Sequence, residues 1–434
     1  MTNTVLERFN LDKNILFSIV GFVSNTIFLF VGYRLVAAEL GVEGIGLWAV
    51  LFSLTNLIKI GDPGSGHSAL KFVASCTYEK DEPNHLLKTY ILSGFLINFC
   101  FLGALIVPTY FLMVHFLPDL IDVGDVELSL RLIPLMLSIF FIRNMTNILL
   151  GSLRGLHFGY LASLFESFGA IIAVIGMYYW VPSLGLIGLS WAYILQSLVT
   201  FTICLFYMAA TLKVISVSVY SLSTKVIKQM LLFSIKIQFS SSLNGIWEPL
   251  IKFLVYRSGG SVAVGFFELA LKTVVTPRNA LMAGLSSTLA ATVSLYTADK
   301  ESLISFYRKQ VSLFFIFNCI MTALVLTLSP IVPFVILGQF SSMYWWFVFI
   351  LAIGYVANAF SAPAYNLGLV SGLVRWNIYS LVIQLTSMTL LAIMLGRSYG
   401  VYGVLIGSTV AQVFACLLLK IYNEKTILLP RETL

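Results

Sequence analysis

Charge is what this chain lacks. Asp, Glu, Lys and Arg make up 10% of its 434 residues, against about 25% in a soluble protein. That shortage excludes a water-solvated globule of this length, whose surface needs those side chains. The four histidines are scattered and give no metal-ligand spacing. The five cysteines (Cys76, Cys100, Cys204, Cys319 and Cys416) show no Cys-x-x-Cys pairing, and four lie inside apolar runs. They read as packing residues and not as disulfides or ligands. No nucleotide-binding motif is present, which argues against ATP as a direct energy source. No cofactor is implied, and nothing in the pattern points to nucleic acid as a partner.

What is there is oil. Hydrophobic residues make up 59% of the chain, and the mean hydropathy is +0.94. Apolar runs of about 20 residues, the length that crosses a bilayer, recur to the end and leave no room for a soluble domain. The expected fold class is an all-α polytopic membrane protein. The polar start "MTNTVLERFNLDKN" leads into an apolar run with no small-residue cleavage site, so Asn14 to Ala38 reads as an uncleaved first span.

Polar and Gly/Pro breaks divide the chain into twelve transmembrane helices. Six occupy roughly 14–38, 44–75, 88–117, 130–150, 160–181 and 185–212, and six more 229–257, 262–296, 306–336, 343–369, 374–396 and 401–420. Spans 2 and 8 are long enough to tilt, bend or protrude. Basic residues gather at one set of loop ends, among them Arg8, Lys13, Lys71, Lys80, Lys88, Arg154, Lys213, Lys300, Arg375 and Lys420. Arg34, Arg131, Arg257 and Arg397 fall at the other set. The positive-inside rule then puts both termini in the cytoplasm.

The chain repeats at about half its length. "GVEGIGLW" (Gly41 to Trp48) matches "GSVAVGFF" (Gly260 to Phe267) at an offset of 219. "GSLRGL" from Gly151 matches "GLVSGL" from Gly368 at 217, and "GLIG" from Gly185 matches "GVYG" from Gly400 at 215. Each match is weak alone, but three in one order at nearly one offset are not. Six spans per repeat keep both halves in one orientation, as two six-helix lobes related by a pseudo-twofold along the membrane normal. The domain division is then an N-terminal lobe over 1–212, a basic cytoplasmic linker over 213–228 and a C-terminal lobe over 229–434. Parallel repeats place a substrate site between lobes and allow alternating access by rocking. This organisation points to a transporter and away from a membrane enzyme.

Ten ionisable residues fall within the spans: Lys59, Asp62, Arg143, Glu166, Lys236, Glu248, Lys252, Glu268, Lys272 and Arg278. A charge at the bilayer centre costs at least about 2.5–3.5 kcal/mol, so each should meet a partner or a watery cavity. Glu248–Lys252 and Glu268–Lys272 are i,i+4 pairs that can neutralise themselves on one helix face. Lys59 and Arg278 have no acidic residue at i±4 and are repeat equivalents, which favours a cavity role. A cationic, partly dehydrated cavity suits a phosphate or pyrophosphate. Asp62, in "GDPGSG", either pairs with Lys59, caps a broken helix or carries a proton. Glu166 and Arg143 read as a structural pair between spans 5 and 4. Arg34 either snorkels at the outer end of span 1 or guards an anion's exit. Asn25 and Asn244 are repeat equivalents, serving helix–helix hydrogen bonds or lining the cavity. Pro277 offers a bend in span 8.

On "LGVEGIGLWAVLFSL", "GDPGSGHSALKFVA" and "LLGSLRGLHFG", the chain resembles the polysaccharide-export branch of the multidrug/oligosaccharidyl-lipid/polysaccharide exporter superfamily, and more narrowly the O-antigen flippases. Asp62 and Gly64 fit the Asp-x-Gly that members often carry, with Pro63 a less typical residue between them. The resemblance implies a flippase in a bacterial inner membrane. It would move an undecaprenyl-pyrophosphate-linked oligosaccharide outward, driven by an ion gradient. Lys59, Lys272 and Arg278 would hold the pyrophosphate or acidic sugars, with Lys252, Asn25, Asn244 and Arg34 as further contacts. Asp62, Glu248 or Glu268 would couple the ion. Implied partners are the lipid-linked substrate, membrane lipid, a polysaccharide polymerase and a chain-length regulator. A cationic-drug exporter of the same fold and a peptidoglycan-precursor flippase are the alternatives. Span 1 has no carboxylate between Asn14 and Ala38, which disfavours cationic drugs.

Overall fold

The computed structural model describes the backbone except at residues 1, 62–64, 77–82, 213–222, 296–299, 372 and 429–434. It describes no side chains at 2–16, 18–19, 59–61, 65, 67, 75–76, 83–86, 211–212, 234–242, 244, 280–295, 300, 302 and 370. Among the described residues the regular structure is all helical: α1 (Thr2–Thr55), α2 (Ser65–Cys76), α3 (Pro83–Leu120), α4 (Val123–Gly155), α5 (Gly159–Leu184), α6 (Leu186–Leu212), α7 (Thr224–Leu295), α8 (Lys300–Leu328), α9 (Ile331–Leu337), α10 (Ser342–Val370) and α11 (Arg375–Ile427). A 3-10 turn, Asn56–Gly61, follows α1.

Three of these helices are folded over at single glycines: α1 at Gly41, α7 at Gly260 and α11 at Gly400. With both arms of each counted, and α2 and α9 taken as continuations of their predecessors, the described residues form twelve spans. This is the expected number. Gly41 (φ 66°, ψ −174°) and Gly260 (φ 70°, ψ −171°) share one backbone conformation. Gly185, between α5 and α6 (φ 58°, ψ −133°), and Gly400 (φ 58°, ψ −140°) share another. Both lie in territory that a Cβ makes costly. The repeat seen in sequence is thus a repeat of backbone geometry, with glycine kept where a helix must reverse. Span 8 keeps helical dihedrals through Pro277, and the bend in α7 is at Gly260.

Contacts divide the chain into two compact units, Met1–Leu40 with Leu51–Gly245 and Gly41–Val50 with Ile246–Leu434. In the first, α4 packs on α2, α3 and α6, and α5 packs on α6. The α2–α4 contact is close because Gly151 and Gly155, one turn apart, face the backbone of Gly66 and Leu70, a small-xxx-small helix contact. Asn98 of α3 donates to the Asn144 carbonyl of α4 at 3.1 Å. An apolar core of Val73, Ile91, Leu149, Leu153, Cys204 and Met208 lies beside it.

In the second unit α10 packs on α8 and α11. The Ser341 side chain starts α10 by accepting from the Tyr344 amide at 3.3 Å. Asn423 donates to Asn377 Oδ1 at 2.7 Å and to the Ala364 carbonyl at 3.0 Å, tying α11 to itself and to α10. The short Gly41–Val50 piece crosses the second arm of α7. A Cβ on Gly46 would overlap the carbonyl of Ser261, and one on Gly265 would overlap the carbonyl of Val42. Val42 and Ser261, like Gly46 and Gly265, are 219 apart. The crossing is therefore reciprocal. Cys204 and Cys416 are buried free thiols, as packing residues should be, whereas Cys319 is half-buried and Cys100 is exposed.

Candidate functional site

Four of the charges expected in the spans converge in the second unit. Lys252 lies on the first arm of α7, 2.6 Å from Glu248 Oε1 and 2.7 Å from Glu268 Oε2 on the second arm. Lys272 lies 3.3 Å from Glu268 and 3.5 Å from Glu248. Each lysine thus meets both carboxylates, and the quartet sums to zero. Two members are almost fully enclosed, with side chains of Lys252 and Glu268 3% and 6% exposed. Lys272 and Glu248 are 27% and 40% exposed. The i,i+4 pairs were legible in sequence. The two cross-links depend on how Gly260 folds α7 back on itself, which spacing along one helix does not reveal.

Arg278 lies further along the second arm of α7. Its guanidinium donates to Asn358 Oδ1 on α10 and, at 3.3 Å, to Asn279 Oδ1. It also sits 5.2 Å from the ring centre of Tyr355, within cation–π range. Trp247 meets that ring edge-on at 6.5 Å. No carboxylate pairs with Arg278 among the described residues. Its Nε is enclosed and unpartnered, as is the amide nitrogen of Asn318. Both residues line a narrow cavity with Val274, Met321, Thr322, Val325, Ala352 and Tyr355. The arrangement offers donors and a positive charge to an acceptor, with aromatic faces beside them. Tyr355, Asn358, Asn318 and Trp247 complete this group. Trp247 is an amphipathic ring three residues after Asn244 in the sequence, and the other three carry no sequence signal.

The remaining expected residues lie on other segments or outside the described residues. Asn25 is half-buried and Arg34 exposed on the first arm of α1. Lys59 lies on the 3-10 turn and Asn244 on α7, with side chains outside the described residues. Asp62 lies outside the described residues. The expected Glu166–Arg143 pair does not form. Glu166 binds Arg154 instead at 2.8 Å, because the tight turn joining α4 to α5 brings that end of α4 beside it. No group of His, Cys, Asp and Glu among the described residues is placed to hold a metal.

The fold is shared with solved transporters. An inward-facing multidrug resistance MATE family transporter of the MOP superfamily aligns over 93% of this chain and 94% of its own, at 15% identity and a TM-score of 0.79. The lipid II flippase MurJ, in an inward closed conformation, aligns over 94% and 87% at 17% identity and a TM-score of 0.75. A MOP superfamily transporter from Pyrococcus furiosus, whose binding pocket is described as reversed in polarity, aligns over 97% and 96% at 15% identity and a TM-score of 0.69. A comparison with curated proteins finds no match. The family model described as a polysaccharide biosynthesis protein matches residues 82–345, more than half of the chain. The chain belongs to that family, and its fold is that of the MOP superfamily transporters just named.

Proposed function

We propose that this protein is a flippase that carries an undecaprenyl-pyrophosphate-linked oligosaccharide, of O-antigen or similar type, across a bacterial plasma membrane by alternating access coupled to an ion gradient. The family match supports export of a polysaccharide precursor. The observation that carries an anionic substrate is Arg278, a guanidinium enclosed without a carboxylate, with one donor left open beside the open amide of Asn318. The open Nε of a charged guanidinium and the neighbouring amide suit the oxygens of an anion such as phosphate. The quartet contributes no net charge to compete with it. Lys59, the repeat equivalent of Arg278 in sequence, is kept as a proposed contact of the substrate. Glu248, the most exposed carboxylate of the quartet, is the member best placed to exchange a proton with water.

Deleting the protein in its native cell tests this reading. Lipid-linked glycan should accumulate on the inner leaflet while surface glycan falls. Intact surface glycan with new sensitivity to cationic dyes would sink the proposal in favour of drug export. Accumulated peptidoglycan precursor would instead favour the activity that the MurJ-like fold also accommodates.

A further inference from the structure

α4 differs from its neighbours in what it leaves exposed. α3 exposes Phe99 and Phe111, α5 exposes Phe168 and Ile175, and α6 exposes Phe206, as faces washed by lipid should. Past its first residue, Val123, α4 exposes no large hydrophobic side chain. Its exposed positions from mid-helix onward are Ser138, Arg143, Asn147 and Arg154. Despite its 33 residues, α4 is also not among the eight helices that, among the described residues, are long and apolar enough to cross a membrane by composition.

Arg143, Asn147 and Arg154 fall within about 40° of one another around the helix. Arg154 is held by Glu166 at the helix end. Arg143 forms no ion pair or hydrogen bond among the described residues, although its exposed side chain lies about 6 Å along the axis from the helix midpoint. The hydrocarbon extends about 15 Å either side of its centre. An arginine turned to lipid there would cost at least about 2.5–3.5 kcal/mol. A face of arginine and asparagine has no reason to meet lipid and every reason to meet water.

We infer that the exposed polar face of α4 borders the water-filled translocation path, and that Arg143 and Asn147 bind a phosphate of the substrate as it passes. The guanidinium supplies the charge and two parallel donors. The Asn147 amide, one turn away, donates to another oxygen of the same group, which a carboxylate with two oxygens serves less well. The phosphate assignment rests on the proposed substrate, whereas the wet face of α4 does not.

The test uses the full-length chain in phosphatidylethanolamine/phosphatidylglycerol vesicles, with a membrane-impermeant thiol reagent on both sides. Asn147→Cys should react severalfold faster than the parent chain, whose own thiols set the baseline. Phe168→Cys should stay at that baseline. Millimolar inorganic pyrophosphate should slow the reaction of Asn147→Cys. Adding Arg143→Gln should abolish the slowing while leaving the reaction itself, and Arg143→Lys should retain part of it. Asn147→Cys reacting at baseline would overturn the wet face. Slowing that survives Arg143→Gln, or that glucuronate produces and pyrophosphate does not, would overturn the phosphate site. A deletion strain with intact surface glycan would refute the proposed substrate and leave these labelling outcomes to stand or fall separately.

Discussion

Lys252 and Glu268 meet at 2.7 Å across the fold of α7, with both side chains nearly withdrawn from solvent. Removing one partner of such a pair strands the other's charge. Lys252→Met should therefore lower stability by about 3–5 kcal/mol. Adding Glu268→Gln to that variant should recover a large part of the loss, because the cluster, left by the first change with one lysine and two carboxylates, is neutral again. Thermal unfolding in detergent reads both, and equal losses in the single and double variants would refute an enclosed, coupled quartet.

Arg278 makes its contacts through geometry as well as charge. Lysine cannot donate to Asn358 and Asn279 at once in the plane that faces Tyr355. Arg278→Lys should therefore lose most glycan export while membrane insertion stays normal. Tyr355→Phe, which keeps the ring, should export nearly as the parent does, and Tyr355→Leu should not. Normal surface glycan in Arg278→Ala and Lys59→Ala at native expression would remove both residues from the substrate path.

Glycines that look alike in sequence should respond in opposite ways. Gly265→Ala pushes a methyl into the Val42 carbonyl, and Gly46→Ala pushes one into the Ser261 carbonyl. Each should lower folded yield and melting temperature. Gly103→Ala, in mid-helix with nothing within 4 Å, should stabilise by about 0.4–1 kcal/mol. If all three variants melted alike, the close crossing would be refuted.

At Gly260 the constraint is conformational and not spatial, since nothing lies within 4 Å of a Cβ there. Its φ of 70° with ψ of −171° belongs to a region essentially reserved for glycine. Gly260→Ala should cost about 1–3 kcal/mol, and Gly41→Ala should cost a similar amount. A neutral result in denaturant titration would contradict the fold-back geometry.

The Arg154–Glu166 pair should matter little to stability. Its side chains are 43% and 34% exposed, where such pairs contribute about 0–1 kcal/mol. Glu166→Gln should shift the unfolding midpoint by no more than that. A larger loss would mean that Glu166 holds more than Arg154.

Most of the fold was legible because lipid and glycine impose it. The twelve apolar runs follow from bilayer thickness, and the repeat follows from reversals that only glycine makes cheaply, at Gly41, Gly260, Gly185 and Gly400. The site was legible in part. Glu248, Lys252, Glu268 and Lys272 stood out as charges in oil, but their joining into one quartet depends on register across the bend at Gly260. Tyr355, Asn358 and Asn318 gave no signal, since an isolated tyrosine or asparagine in a span is unremarkable until a guanidinium is placed beside it. Arg143 was assigned to Glu166 because both needed a partner, yet Arg154, beside the turn, was nearer. The repeat offered no help there, because an offset of 217 sets Arg143 against Phe360. The polar face of α4 belongs to one half alone.

The neutral sum of the quartet has an electrical consequence. A unit charge carried across the membrane potential does work of about 2.3 kcal/mol for each 100 mV. Two lysines and two glutamates moving together do none. If the proposed cycle rocks the arms of α7 through the field, the quartet's share of that movement is electrically silent until one of its members gains or loses a proton. Any voltage dependence of the cycle would have to come from that proton, from the cargo, or from arginines such as Arg143 and Arg278 that travel without a carboxylate.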